Sequence, residues 1–134
     1  EIIVHGISIS PGKPTLLSRS EKKPLWGLPG HVVSAMIVFA AVVKPFIEKI
    51  SGFSPAQKNR FTLSARLSRN VSSAQGRTDY IRVRLTEKEG ILRAEPILGK
   101  SGLINTMIKA DGLIEIGKNM EGLEKGAEVK VFPL

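Results

Sequence analysis

A chain of 134 residues with no cysteine, two histidines and a formal net charge of +8 has room for one ordinary domain, or for a small domain and part of another. It excludes disulfides, thiolate catalysis and cysteine-type zinc sites. Hydrophobic residues make up 42% and charged residues 24%, the balance of a folded chain rather than a disordered one.

Glu1 leads directly into Ile2-Ile3-Val4, with neither a starting Met nor the basic and apolar regions of a signal peptide. The chain is therefore expected to be a piece of a longer protein, and the lack of cysteine fits a cytoplasmic one. Ile2–Val4 and the alternating Ile7–Ser10 read as strands. Pro11-Gly12-Lys13-Pro14 breaks the pattern before a short extended piece, Thr15–Ser18, and a polar turn at Ser20–Lys23 leads to Leu25–Gly27. The turn Gly27-Leu28-Pro29-Gly30-His31 then runs into a helix from Val32 to about Ile50. Its Val33, Met36, Ile37, Ala40, Val43, Ile47 and Ile50 recur at three- and four-residue steps, as on a buried face. Pro45 predicts a kink or break, Gly52 a stop, and Ser51–Pro55 a linker. The apolar run Val32–Val43 is broken by Ser34 and closed by Lys44-Pro45, short of the roughly 20 residues of a membrane span, so no membrane partner is expected.

Beyond the linker the periodicity changes to two. Phe61–Leu67, Tyr80–Leu85 and Val129–Phe132 alternate as strands do, Ile91–Ala94 and Leu113–Ile116 are shorter candidates, and Leu103–Lys109 suggests a turn or two of helix. Short strands separated by glycine turns predict a small β-barrel or sandwich. The fold class is α+β.

The residues offer a specific chemistry. Lys13, held between two prolines, places a positive charge, and the turn entering the helix presents backbone N–H groups; together they suit a phosphate or another oxyanion. Complete Walker and Rossmann patterns are absent. Asp79 and Asp111 stand beside turns and Ser34 near the helix start, where all three are expected to cap backbone N–H groups. His5 and His31 show no metal-ligand spacing. The positive charge favours anionic partners, but Lys22-Lys23 and Arg82 with Arg84 are not interleaved with aromatics, which disfavours nucleic acid.

Pro11-Gly12-Lys13-Pro14, Gly27-Leu28-Pro29-Gly30, Ser34-Ala35, Lys44-Pro45 and Ser51-Gly52 in this order resemble the MoeA/gephyrin family of molybdenum-cofactor biosynthesis proteins. Gly76-Arg77-Thr78-Asp79-Tyr80-Ile81-Arg82-Val83, Ser101-Gly102, Ala110–Ile114 and Glu121-Gly122-Leu123 extend the resemblance over essentially the whole chain. The resemblance implies a multi-domain, homodimeric molybdopterin molybdotransferase, which inserts molybdate into adenylylated molybdopterin with the help of magnesium and works beside other molybdenum-cofactor biosynthesis proteins. Residues 1–52 would end its molybdopterin-binding α/β domain and residues 53–134 would form its C-terminal β-barrel. The acidic magnesium ligands would lie upstream, leaving this piece inactive alone and without a metal site. Pro11, Gly12, Lys13, Pro14, Gly27, Leu28, Pro29, Gly30, His31 and Ser34 would bind molybdopterin or molybdate. The chain departs from the family at Ser10, where lysine is usual, and at His31-Val32, where Asn-Pro is usual. The alternative is a basic β-barrel interaction module or a non-catalytic member of the family.

Overall fold

The computed structural model describes residues 1–53, 61–99 and 104–134. Four strands open the chain: β1 (Ile2–His5), β2 (Ile9–Ser10), β3 (Leu16–Ser20) and β4 (Lys23–Gly27). β1, β3 and β4 form an antiparallel sheet in the order β1-β3-β4, while β2 leaves it. A helical run follows, made of α1 (Val32–Val38), a π-helical turn (Phe39–Val43) and α2 (Lys44–Ile50). The expected irregularity thus falls in the turn before Pro45 rather than at it. Pro45 sits at the first positions of α2, and the wider π turn absorbs the missing hydrogen bond upstream of the ring. Gly52, with φ +84°, ends the run as expected, its N–H donating to Lys49 O at 3.2 Å. Of the expected linker, Ser54 and Pro55 lie outside the described residues.

The second part holds β5 (Leu63–Leu67), β6 (Val71–Ser72), β7 (Thr78–Lys88), β8 (Ile91–Pro96), α3 (Asn105–Ile108), β9 (Gly112–Ile116), β10 (Gly122–Leu123) and β11 (Glu128–Pro133). β7-β8-β5-β11-β9 closes into a five-stranded barrel because β7 is long enough to serve both neighbours. Its first half pairs with β9 over Asp79–Val83 and its second half with β8 over Val83–Lys88. Closure removes the exposed edges an open sheet would leave. The alternation read over Tyr80–Leu85 therefore understates this strand. The two-residue pair β6–β10 is too short for any periodicity to show. Of the expected helical turn Leu103–Lys109, α3 is the described part; Leu103 lies outside the described residues.

Alternate residues Ala65, Leu67, Val83, Ala94, Ile114, Ile116, Val129 and Val131 point into the barrel and are buried. A second cluster joins the helix to the barrel's outside: Val33 and Ile37, both fully buried, meet Met107, Leu113 and Tyr80. β2 binds the two parts again, pairing in parallel with β7 at Ile9–Thr78 and Ser10–Asp79. Ile37→Ala is expected to cost about 3 kcal/mol through lost burial and the cavity left behind, read as a lower urea midpoint with an unchanged slope.

Candidate functional site

Between β2 and β3 the chain turns at Pro11–Pro14, entered through a cis Ser10–Pro11 bond. The backbone here is cross-linked on three sides. Gly6 N–H donates to Thr15 O at 2.8 Å, Ile7 N–H to Lys13 O at 3.0 Å, and the buried Thr15 hydroxyl to Gly12 O at 2.7 Å. Gly12 has φ +133°, and a Cβ there would lie 2.5 Å from Val38 Cγ2 and 2.9 Å from Ile9 Cδ1. The loop is thereby pressed onto α1 as only glycine permits. Lys13 and Pro14 are exposed on it, and among the described residues no side chain pairs with the Lys13 ammonium.

The second loop descends from β4. Gly27 ends that strand opposite Leu16, Pro29 is buried, and Gly30 and His31 are exposed. His31 is the N-cap of α1 with extended backbone (φ −76°, ψ 125°), and its side chain makes no cap hydrogen bond. Ser34 is the third helical residue, 4% exposed, and is not the cap expected of it, because the helix starts too close to it for its hydroxyl to face the first free N–H groups.

These loops face each other across a cleft of about 670 Å³ lined by Ile7–Pro14, Pro29–His31, Ser34 and Gln75–Arg77. Gly27 and Leu28 lie outside the lining, as the ends of the strand and turn that aim Pro29–His31. The third wall, Gln75–Arg77, comes from the barrel. Gly76 and Arg77 belong to the Gly76–Val83 motif, but nothing local in the sequence puts them on this cleft, since their place depends on the parallel pairing of β2 with β7 and on Thr78 N–H donating to Ser8 O at 2.9 Å. Asp79 orients this wall: Oδ1 accepts from Arg77 Nε at 2.8 Å and Oδ2 from Ser73 Oγ at 2.9 Å. Asp79 therefore aims an arginine instead of capping a turn. Asp111 likewise accepts Leu85 N–H at 2.7 Å, a tie across 26 positions of sequence rather than within its own turn.

Beyond Arg77 the cleft continues into a hollow of about 300 Å³ that shares Ser10, Pro11 and Arg77 with it and is also lined by Asp79–Arg82 and Ile97–Gly99. Arg82 is 8% exposed. Its Nη2 donates to Gly99 O at 3.0 Å, while Nε and Nη1 are buried with no partner among the described residues. Burial pushes its pKa down, yet a guanidinium stays charged in proteins. A buried cation with two nitrogens and their three N–H groups unused is unfavourable unless an anion completes it, so the hollow suits an oxyanion. In sequence Arg82 is indistinguishable from Arg84, which lies on the same strand and is exposed.

A divalent cation does not fit here. The cleft lining holds Lys13, His31 and Arg77 and no carboxylate, and no group of three or more His, Asp or Glu able to hold a metal occurs among the described residues. Nor is any described helix long and apolar enough to cross a membrane.

The family model for the MoeA C-terminal region (domain IV) matches residues 64–134. A Methanocaldococcus jannaschii protein named for molybdopterin biosynthesis is 36% identical over all of this chain and 30% of its own length. The molybdopterin molybdenumtransferase of Haemophilus influenzae is 29% identical over 95% of this chain and 32% of its own. The crystal structure of the MoeA molybdopterin biosynthesis protein of Pyrococcus horikoshii superposes with a TM-score of 0.78 at 36% identity, covering 98% of this chain and 32% of that one. The sheet, helix and closed barrel are the fold of the C-terminal region of MoeA-type proteins. The chain belongs to the MoeA family, and it spans about a third of the length of the relatives it matches.

Proposed function

We propose that the protein carrying this chain inserts molybdate into adenylylated molybdopterin, with residues 1–52 completing its molybdopterin-binding α/β domain and residues 53–134 forming its β-barrel domain. One observation carries this reading: the Pro11–Pro14 and Pro29–His31 loops converge with Arg77 on one cleft that opens onto Arg82, whose buried Nε and Nη1 have no partner among the described residues. Pro11, Gly12, Lys13, Pro14, Pro29, Gly30, His31 and Ser34 hold the phosphate-bearing pterin, with Gly27 and Leu28 aiming the second loop. Lys13 supplies a charge on a backbone that cannot swing away, and Arg77 supplies another from the barrel. Arg82 receives the tetrahedral oxyanion, molybdate, as substrate. The barrel thus shares in binding instead of bracing the α/β domain from a distance. His31 stands where the family usually has asparagine, and Ser10 where it usually has lysine. Dimerisation and any magnesium required for adenylate hydrolysis belong to other parts of the full-length protein, because the residues here repel a cation.

The test is calorimetric titration of the full-length protein with adenylylated molybdopterin and then molybdate. Heat is expected for both, and Lys13→Gln is expected to weaken pterin binding about tenfold, the worth of one charge-assisted hydrogen bond. A wild-type protein giving no heat with either ligand overturns the reading.

A further inference from the structure

A second cationic hollow, of about 200 Å³, shares no residue with the cleft or with the Arg82 hollow. Arg66, Ser68, Arg93 and Lys125 line it, together with Leu67, Ile91 and Gly126. Strand register creates it. β5 and β8 run parallel with Arg66 beside Arg93 and the buried Leu67 beside the buried Ala94, so alternation turns both arginines to the outside of the barrel. Lys125 is brought in by a fixed turn. Its N–H donates to Asn70 Oδ1 at 2.7 Å, Gly126 N–H donates to Leu67 O at 2.8 Å, and Leu67 N–H donates to Ala127 O at 2.9 Å.

Among the described residues none of the three cationic side chains has a hydrogen bond or an ion pair. The neighbouring acids are turned elsewhere. Glu128, beside Arg66 on β11, accepts the Ser64 hydroxyl at 2.5 Å, Glu95 accepts that of Thr86 at 3.0 Å, and Glu124, next to Lys125, does not line the hollow. Like charges side by side across a strand pair are destabilising, and nothing in the barrel core requires arginine at either place. The arrangement becomes favourable when one anion accepts from both guanidinium forks.

We propose that this hollow binds a phosphoryl group. Two planar forks, an ammonium and the Ser68 hydroxyl match a group with three terminal oxygens, and the hollow is smaller than the roughly 300 Å³ at which pockets for whole drug-sized ligands begin. It holds the phosphoryl group, with the rest of the ligand in solvent. The same chemistry is offered by free inorganic phosphate and by a small phosphate ester.

The test titrates the full-length protein by calorimetry with inorganic phosphate and, separately, with ribose 5-phosphate. An Arg66→Gln/Arg93→Gln double variant and a Lys13→Gln/Arg82→Met double variant are run beside the wild type. The hollow predicts one class of sites weakened at least tenfold by the first pair and kept by the second, with molybdate binding by the first pair unchanged. Binding of either probe with this pattern supports the site, and the tighter of the two identifies its source. Thermal unfolding in phosphate-free, low-salt buffer gives an independent reading. There the Arg66→Gln/Arg93→Gln protein is expected to melt no lower than wild type and to lose the rise in Tm that the probe confers. Isotherms unchanged in this variant, binding lost through Lys13→Gln/Arg82→Met instead, or binding of neither probe overturns the proposal.

Discussion

Arg82→Met is expected to make the protein more stable and its oxyanion site empty. The wild-type Arg82 is 8% exposed, donates once to Gly99 O, and among the described residues leaves Nε and Nη1 buried without a partner. Methionine fills much of the same volume without a charge to desolvate. Replacing a buried charge by a well-packed apolar side chain often stabilises by about 1–4 kcal/mol, against roughly 1 kcal/mol for the lost bond to Gly99. The net is a higher urea midpoint. Molybdate binding should move the other way, falling by about 2–4 kcal/mol, or some 30- to 1,000-fold, as when one member of a buried charge pair is removed. Calorimetry and urea unfolding on the same two proteins measure both. A variant that is less stable than wild type, or that binds molybdate as well, removes Arg82 from the site. Such opposition between stability and binding is the signature of a functional group held at a cost to the fold.

Gly12→Ala is expected to damage both the fold and the cleft. Its backbone sits at φ +133°, and the added methyl would lie 2.5 Å from Val38 and 2.9 Å from Ile9. Neither neighbour can yield easily. Val38 is fully buried and Ile9 is held in the β2–β7 pairing. Overpacking costs about 1–3 kcal/mol and the unfavourable backbone a similar amount, so a loss of roughly 2–6 kcal/mol should appear on urea unfolding. If the chain instead relieves the clash by moving the loop, stability recovers while pterin affinity falls, because Lys13 then leaves its place opposite His31. Neither loss occurring would mean that the loop is not pressed onto α1.

The two glycine-proline loops were legible in the sequence because proline and glycine act locally: they restrict or free φ whatever surrounds them. The same holds for the α1–α2 periodicity, the stop at Gly52 and most barrel strands. Asp79 and Asp111 were misread for the converse reason. A short acid beside a turn caps it unless a better donor is offered: for Asp79 these are the side chains of Arg77, two residues back, and Ser73, and for Asp111 the Leu85 N–H brought up by strand pairing. Ser34 was misread as a cap although the helix start at Val32 was read correctly, because the cap position is the residue before the helix, His31, and Ser34 is already the third helical residue.

Family membership, the sheet-helix-barrel order and the identity of the loops that face the cleft are determined by the sequence alone, since each rests on residues close together along the chain. The cleft's third wall and its buried cation are decided by the tertiary structure. Parallel pairing of β2 with β7 brings Arg77 beside Pro11, and the covering of β7 by the Ile97–Gly99 segment buries Arg82 while leaving Arg84 in water. Both depend on contacts across some 70 or fewer intervening residues, and no local propensity encodes which of two arginines on one strand loses its solvent.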